Sequence, residues 1–250
     1  MCFRTISSLV ILHSRVHSSR EPFRKQESSQ VVENEENSGP TGKGRVIFLN
    51  GTSSAGKTTL AHALQEQLSE PYIHVALDQF RDGMPDKYRG LNAPRGTTGD
   101  LGLNVVPMTD TEIHYTQIRF GKDGQQMLRG MRRAMAAMVE SGNNIIIDDI
   151  ILQPEFLADY LGVFEPYSVI FVGVKCPKGV INEREVARPG RFPGTAMGHF
   201  KICHAHKLYD VEVDTSTTRP AACAAAIITF LRAQQPMAFE QLRRSSLSHN

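Results

Sequence analysis

The chain has 250 residues, 40% of them hydrophobic, and its 28 Lys and Arg against 26 Asp and Glu leave a formal charge of +2. This is enough apolar material for one substantial α/β core, while the balanced charge argues against a nucleic-acid partner and for a small-molecule one. The four cysteines (Cys2, Cys176, Cys203 and Cys223) form no CxxC pair, which excludes a disulfide framework or zinc ribbon and favours a reducing, cytoplasmic setting; no apolar run reaches the roughly 18 residues of a membrane span.

Residues 1–44 differ in composition from the rest of the chain. The segment "MCFRTISSLVILHSRVHSSREPFRK" is rich in Arg and Ser, has no acid before Glu21, and gives way to a polar, acidic stretch and a Gly/Pro linker. Such a segment buries too little apolar surface to fold and is expected to be disordered; its composition also resembles a mitochondrial transit peptide.

The folded part, 45–235, opens with "RVIFLNGTSSAGKTTLAHAL". An apolar strand, a glycine-bounded loop and a helix with Leu60, Leu64 and Leu68 at intervals of four match GxxxxGK[ST] in the context that the motif requires. Gly51, Thr52, Ser53, Ser54, Ala55 and Gly56 are expected to turn backbone N–H groups around phosphates at a helix N-terminus, continuing through Lys57, Thr58 and Thr59. Lys57 is placed to reach the β- and γ-phosphates, and the Thr58 hydroxyl to ligate Mg²⁺.

Next, "YIHVALDQFRDGMP" reads as a strand ending at Asp78, which sits at the carboxyl edge and is suited to orient an attacking hydroxyl; Asp82 competes for that role, and a helix cap is the plainer reading of Asp78. From Met84 to Arg119 the sequence holds several Gly and Pro residues and no clear period, and reads as either a disordered insertion or a cover over the acceptor. A helix comes next, with Met127, Met131, Met135 and Met138 on one stripe ended by Gly142. The strand "NIIIDD" then delivers Asp148 and Asp149 to the edge that carries the phosphate loop. Successive strand residues face opposite sides, so one carboxylate can serve a metal, and Asp148 is the preferred one.

A helix at "QPEFLADYLGVF" and a strand at "SVIFVGVKC" lead to "INEREVARPGRFPGT". There Arg184 and Arg188 lie four apart on one helix face, with Arg191 beyond the Pro189–Gly190 break, as suits a lid closing over phosphates. "CHAH" (203–206), in an expected helix, lacks a second ligand pair and reads as structural. The strand "LYDVEVDTS", a helix starting near Pro220 and a flexible tail over 236–250 complete the chain; the tail's "LRRSSLS" is a basic stretch before serines that a kinase can modify. Five strands alternating with helices predict a doubly wound α/β sandwich whose functional groups collect at the strands' carboxyl ends.

Taken together in their order and spacing, the phosphate loop, "VALDQFRDGMP", "NNIIIDDIIL", "VGVKCPKGVINEREVARPGR" and "YDVEVDTS" resemble the chloramphenicol phosphotransferase-like family over most of 45–232. The resemblance implies a kinase-type P-loop NTPase fold, a three-layer sandwich on a five-stranded parallel sheet with an arginine lid. It also implies ATP and Mg²⁺ as the donor system and a hydroxyl of a small molecule as acceptor. By motif position Asp78 is the base, Gly51 to Thr58 bind the ATP phosphates, and Arg184, Arg188 and Arg191 belong to the lid and nucleotide site. Rival readings are a regulatory NTPase, an RNA-end or nucleotide kinase, and an inactive scaffold. The chain has neither the [NT]KxD of guanine switches nor an LSGGQ-like segment.

Overall fold

The computed structural model describes residues 42–110, 113–188, 192, 194–200 and 202–247. Residues 1–41 of the N-terminal extension, the Pro189–Gly190 break and Arg191 lie outside the described residues. In order, the chain forms β1 (Val46–Asn50), α1 (Lys57–Gln67), β2 (Tyr72–Ala76), α2 (Leu77–Asp82), a 3₁₀ turn (Asp86–Tyr88), β3 (Arg89–Leu91), α3 (Thr98–Leu101), β4 (Leu103–Asp110) and β5 (Ile113–Phe120). It continues through α4 (Lys122–Glu140), β6 (Asn144–Asp149), α5 (Pro154–Val163), β7 (Val169–Lys175), α6 (Lys178–Val186), α7 (Thr195–Phe200), β8 (Val211–Asp214), α8 (Pro220–Ala233) and α9 (Ala238–Leu247).

The five apolar runs expected as strands form one sheet in the order β2-β6-β1-β7-β8, and every pairing is parallel. Helical crossovers cover both faces of such a sheet, so its strands are apolar on both sides. Along β1 the alternation sends Val46 and Phe48 to one core, shared with α4 and α5. It sends Ile47 and Leu49 to the other, shared with α1 and α8. Leu60 and Leu64 of α1 are fully buried, as are Met131 and Met135 of α4, while Met127 and Met138 pack at the margin. Pro220 stands in the first turn of α8, and Gly142 closes α4 with a positive φ of 86°.

Two expectations change. The stretch 84–119 is a small three-stranded sheet, β3-β4-β5, with an eight-residue antiparallel pair at its centre. Pro107 obscures it in the sequence, and it fits in β4 because it lies past Val105, the last residue paired with β3, where that edge of β4 has no strand partner among the described residues. The tail is no tail either. Residues Ala238–Leu247 form α9, and Phe239 is buried edge-on against Phe48 and Phe171, with ring centroids 6.1 and 5.1 Å away. The basic stretch before the serines is therefore helical, with Arg243 donating to the Leu161 carbonyl.

Candidate active site

The phosphate loop leaves β1 and enters α1 at the carboxyl edge of the sheet, where the strand order changes direction between β6 and β7. Two glycines are dictated by geometry. A Cβ at Gly51 would stand 2.5 Å from the Val174 carbonyl oxygen of β7, and Gly56, at φ +88°, holds the left-handed conformation from which α1 starts. Ser54 shares the positive φ, at 62°. No side chain caps the N-terminus of α1 and no acid lies in its first turn, which leaves its positive end to an anion. The Thr52 and Ser54 hydroxyls are buried with no hydrogen-bond partner among the described residues, and Ser53 is buried beside them. Ala55 is buried, its carbonyl accepting from the Thr215 hydroxyl at 2.7 Å, and Thr59, the third residue of α1, lies exposed.

Lys57 is buried, and its ammonium donates to the Gly51 and Thr52 carbonyls at 2.9 and 3.0 Å, 3.7 Å from Asp148. The Thr58 hydroxyl donates to Asp148 Oδ2 at 2.7 Å, so the two expected metal ligands share one edge. Burial pushes the Asp148 carboxyl up, but the Lys57 charge, His74 at 3.4 Å and the Thr58 hydroxyl together hold it below the ordinary carboxylate range. Asp149 faces the opposite core. It accepts from the Tyr160 hydroxyl at 2.5 Å and from the Ile150 N–H at 2.7 Å, and burial raises its pKa. Behind it the Arg132 guanidinium lies over the Tyr160 and Phe156 rings and pairs with Asp159 at 2.9 Å.

Hard oxygen donors such as Thr58 and Asp148 suit Mg²⁺, which fills the rest of its shell with water and phosphate oxygens. Among the described residues no three His, Cys, Asp or Glu gather around one point.

Asp78 lies in the first turn of α2, two residues past the end of β2, so it neither ends the strand nor caps the helix, whose N-cap is Ala76. Its Oδ1 accepts from Arg81 at 2.8 Å. Arg81 also pairs with Asp82 at 2.8 Å, Asp82 with Arg89 at 3.7 Å, and Arg89 with Asp86. This ladder of five charges runs from the sheet edge to β3. Asp82 thus belongs to the ladder.

Arg184 and Arg188 part company. α6 stops at Val186, and Arg188 sits in the turn beyond it, its N–H bonded to the Glu185 carbonyl. Arg184 reaches back to the Thr215 carbonyl at 2.7 Å and its hydroxyl at 3.2 Å, beside Gly56. The start of α7 is fixed by the buried Glu185, which accepts from the Gly194 and Ala196 N–H groups. The Gly194 carbonyl accepts from the Thr116 N–H of β5, which fastens the start of α7 to the small sheet. "CHAH" lies in turns after α7, not in a helix, because α7 ends at Phe200.

Three clefts meet here. One of about 490 Å³ runs along the phosphate loop between Lys57, Thr58, His74 and Asp148. A second, of about 590 Å³, has an apolar wall of Leu103, Val105, Ile118 and Phe120 from β4 and β5, with the charge ladder along its rim and Thr195 and His199 of α7 opposite. The two share Ser53, Leu77, Asp78, Ile150 and Arg188. A third, lined by Gly56, Thr59, Arg184, Arg188 and Thr215, opens on the far side of the loop. Arg188 faces all three. Sequence reasoning missed His74, His199, Asn50 and Thr215. A histidine inside the apolar run "YIHVAL" was a readable signal for the first, whereas His199 and Thr215 are brought in by chain folding alone.

The fold is that of P-loop kinases. A sugar kinase from Janibacter sp. aligns with a TM-score of 0.52 at 21% identity, over 76% of this chain and 95% of that one. The APS kinase CysC of Mycobacterium tuberculosis, solved with AMPPNP and APS, aligns with a TM-score of 0.53 at 15% identity, over 77% of this chain and 99% of that one. In sequence, "Putative O-phosphotransferase Rv2636" of M. tuberculosis is 34% identical over 209 residues, 82% of this chain and 91% of that protein, and its counterpart in a second strain matches equally. The family model described as "Chloramphenicol phosphotransferase-like protein" matches residues 44–232, a span that takes in the phosphate loop, both aspartates of β6, Asp78 and the lid. The chain belongs to the chloramphenicol phosphotransferase-like family of P-loop phosphotransferases.

Proposed function

We propose that the protein is an ATP- and Mg²⁺-dependent phosphotransferase that moves the γ-phosphoryl group of ATP to a hydroxyl of a small molecule. The observation that carries this reading is the meeting of the phosphate cleft and the apolar cleft at Asp78, with Arg188 across from it. An NTPase that only hydrolyses or switches has no need of a second, substrate-sized cavity opening on its phosphate loop.

In this reading the backbone from Gly51 to Thr58 cradles the phosphates, and Lys57 leaves the loop carbonyls to pair with them. Thr58 and Asp148 would hold Mg²⁺, which would supply neutralisation of phosphate charge. Asp78 aligns the acceptor O–H with the γ-phosphorus. As the new O–P bond forms, the bond to the β-phosphate oxygen breaks, the proton passes to Asp78 and ADP leaves. The transition state is loose, so alignment by Asp78 matters as much as its basicity. Arg188 closes over the transferring group and stabilises its charge, while Arg184 and Thr215 shape the nucleotide side.

A screen of metabolite and antibiotic pools with labelled ATP is expected to yield a product heavier by one phosphoryl group. Asp78→Asn should reduce transfer by at least ~100-fold with nucleotide affinity nearly unchanged. Lys57→Ala should damage both. ATP turnover independent of every acceptor, or full transfer by the Asp78 variant, overturns the assignment.

A further inference from the structure

We propose that Asn50 is a positioning residue that ties the wall of the acceptor cleft and the segment behind the lid to the phosphate loop through a hydrogen-bond chain of fixed direction. The acceptor half of this statement rests on the function proposed above; the chain itself does not.

Asn50 ends β1, directly before Gly51, and has no solvent exposure. Its Oδ1 accepts from the Ile151 N–H at 3.0 Å. Its Nδ2 donates to the Cys203 carbonyl at 2.6 Å and to the Tyr209 hydroxyl at 2.7 Å. A backbone N–H can only donate and a carbonyl can only accept, so these two partners fix which way the amide faces. With its oxygen occupied by Asn50, the Tyr209 hydroxyl turns its proton to His204 Nδ1, 2.5 Å away. Burial, aided by the Lys175 charge, holds the His204 pKa down at about 4, so the ring is neutral, accepts at Nδ1 and carries its own proton on Nε2. The Tyr209 ring that transmits this order is clasped by Phe171 and by the Lys175 ammonium, 4.7 and 4.9 Å from its centroid.

The chain joins three parts of the site. Ile151 stands between Ile150 and Leu152, both of which line the acceptor cleft. Cys203 and Tyr209 bracket the turns after α7, the helix that brings Thr195 and His199 to the same cleft. Asn50 is one residue from the loop that holds the donor. Buried and fully satisfied, it is the point through which a change at the phosphate loop reaches both sides of the acceptor cleft.

The experiment is ¹⁵N–¹H correlation of the imidazoles in the full chain, with and without Mg²⁺ and AMPPNP, for wild type, Asn50→Asp and Tyr209→Phe. Wild-type His204 is expected as the pure Nε2–H tautomer, shifting when nucleotide binds. Tyr209→Phe keeps the ring packing yet removes the donor; it should give mixed tautomers and abolish the shift, with nucleotide affinity within ~2-fold and acceptor-dependent turnover down ~10-fold. Asn50→Asp should do the same by drawing the Tyr209 proton to the new carboxylate, and if it does not fold, Tyr209→Phe decides alone. A wild-type Nδ1–H tautomer, or a tautomer and nucleotide shift unaltered in Tyr209→Phe, overturns the proposal. If AMPPNP moves the imidazole resonances of neither His62 nor His74, the two histidines of the phosphate cleft, the ATP reading fails and the tautomer comparison still settles the chain.

Discussion

At Asp148 a buried carboxylate keeps its charge because Lys57, His74 and Thr58 surround it, whereas Asp149, one residue on and facing the other core, is pushed toward its neutral form by burial against Tyr160. The two were indistinguishable by type. What separates them is the two-residue period of a strand, which the sequence shows, and the identity of the facing side chains, which it does not. The histidines behind the lid make the clearest pH prediction at this scale. His204 and His206 titrate ordinarily near 6.5, and in the fold burial lowers both to about 4. Between those values the unfolded chain binds more protons, so stability that is complete above pH 6.5 is lost as the pH falls toward 4. Urea unfolding across that range should show the decline, and His204→Gln with His206→Gln should flatten it.

Among the elements, β1, β2, β6, β7 and β8 were legible because strands buried on both faces read as short Val- and Ile-rich runs. The small sheet was not, since β4 carries a proline and one side of the β4–β5 pair faces a cleft, so its residues obey no simple apolar period. α9 was hidden for a different reason: its helical stripe is short, and its largest buried side chain, Phe239, contributes through Phe48 and Phe171, which lie far away in sequence. Phe239→Ala should therefore cost about 3–5 kcal/mol by creating a cavity in the core around Phe48. Equilibrium denaturation measures this, and a loss below ~1 kcal/mol would show that α9 packs only at the surface. Of the site itself, the phosphate loop and the Asp148–Asp149 pair could be read because each sits at a strand end. Arg188 could be placed near the lid, but not at the meeting of three clefts, because that depends on α6 stopping at Val186.

For the whole molecule, Thr58 and Asp148 link α1 to β6, so a ligand that joins them raises the stability of both cores by mass action. Mg²⁺ with AMPPNP should raise the melting temperature more than AMPPNP alone, and Asp148→Asn should remove the difference while leaving the metal-free shift. Equal shifts with and without Mg²⁺ in the wild type would remove Asp148 from the metal site.

The ladder from Asp78 to Asp86 has a kinetic consequence. Its arginines already face carboxylates, so the mouth of the apolar cleft presents little net field to an approaching molecule. Entry is then governed by diffusion and by shedding water from the β4–β5 wall, and ionic strength should hardly alter how fast an acceptor is captured. In the proposed reaction the donor side, where Lys57 and the α1 terminus would meet a highly charged nucleotide, should respond to salt strongly. The two substrates of one reaction would thus be drawn in by different forces.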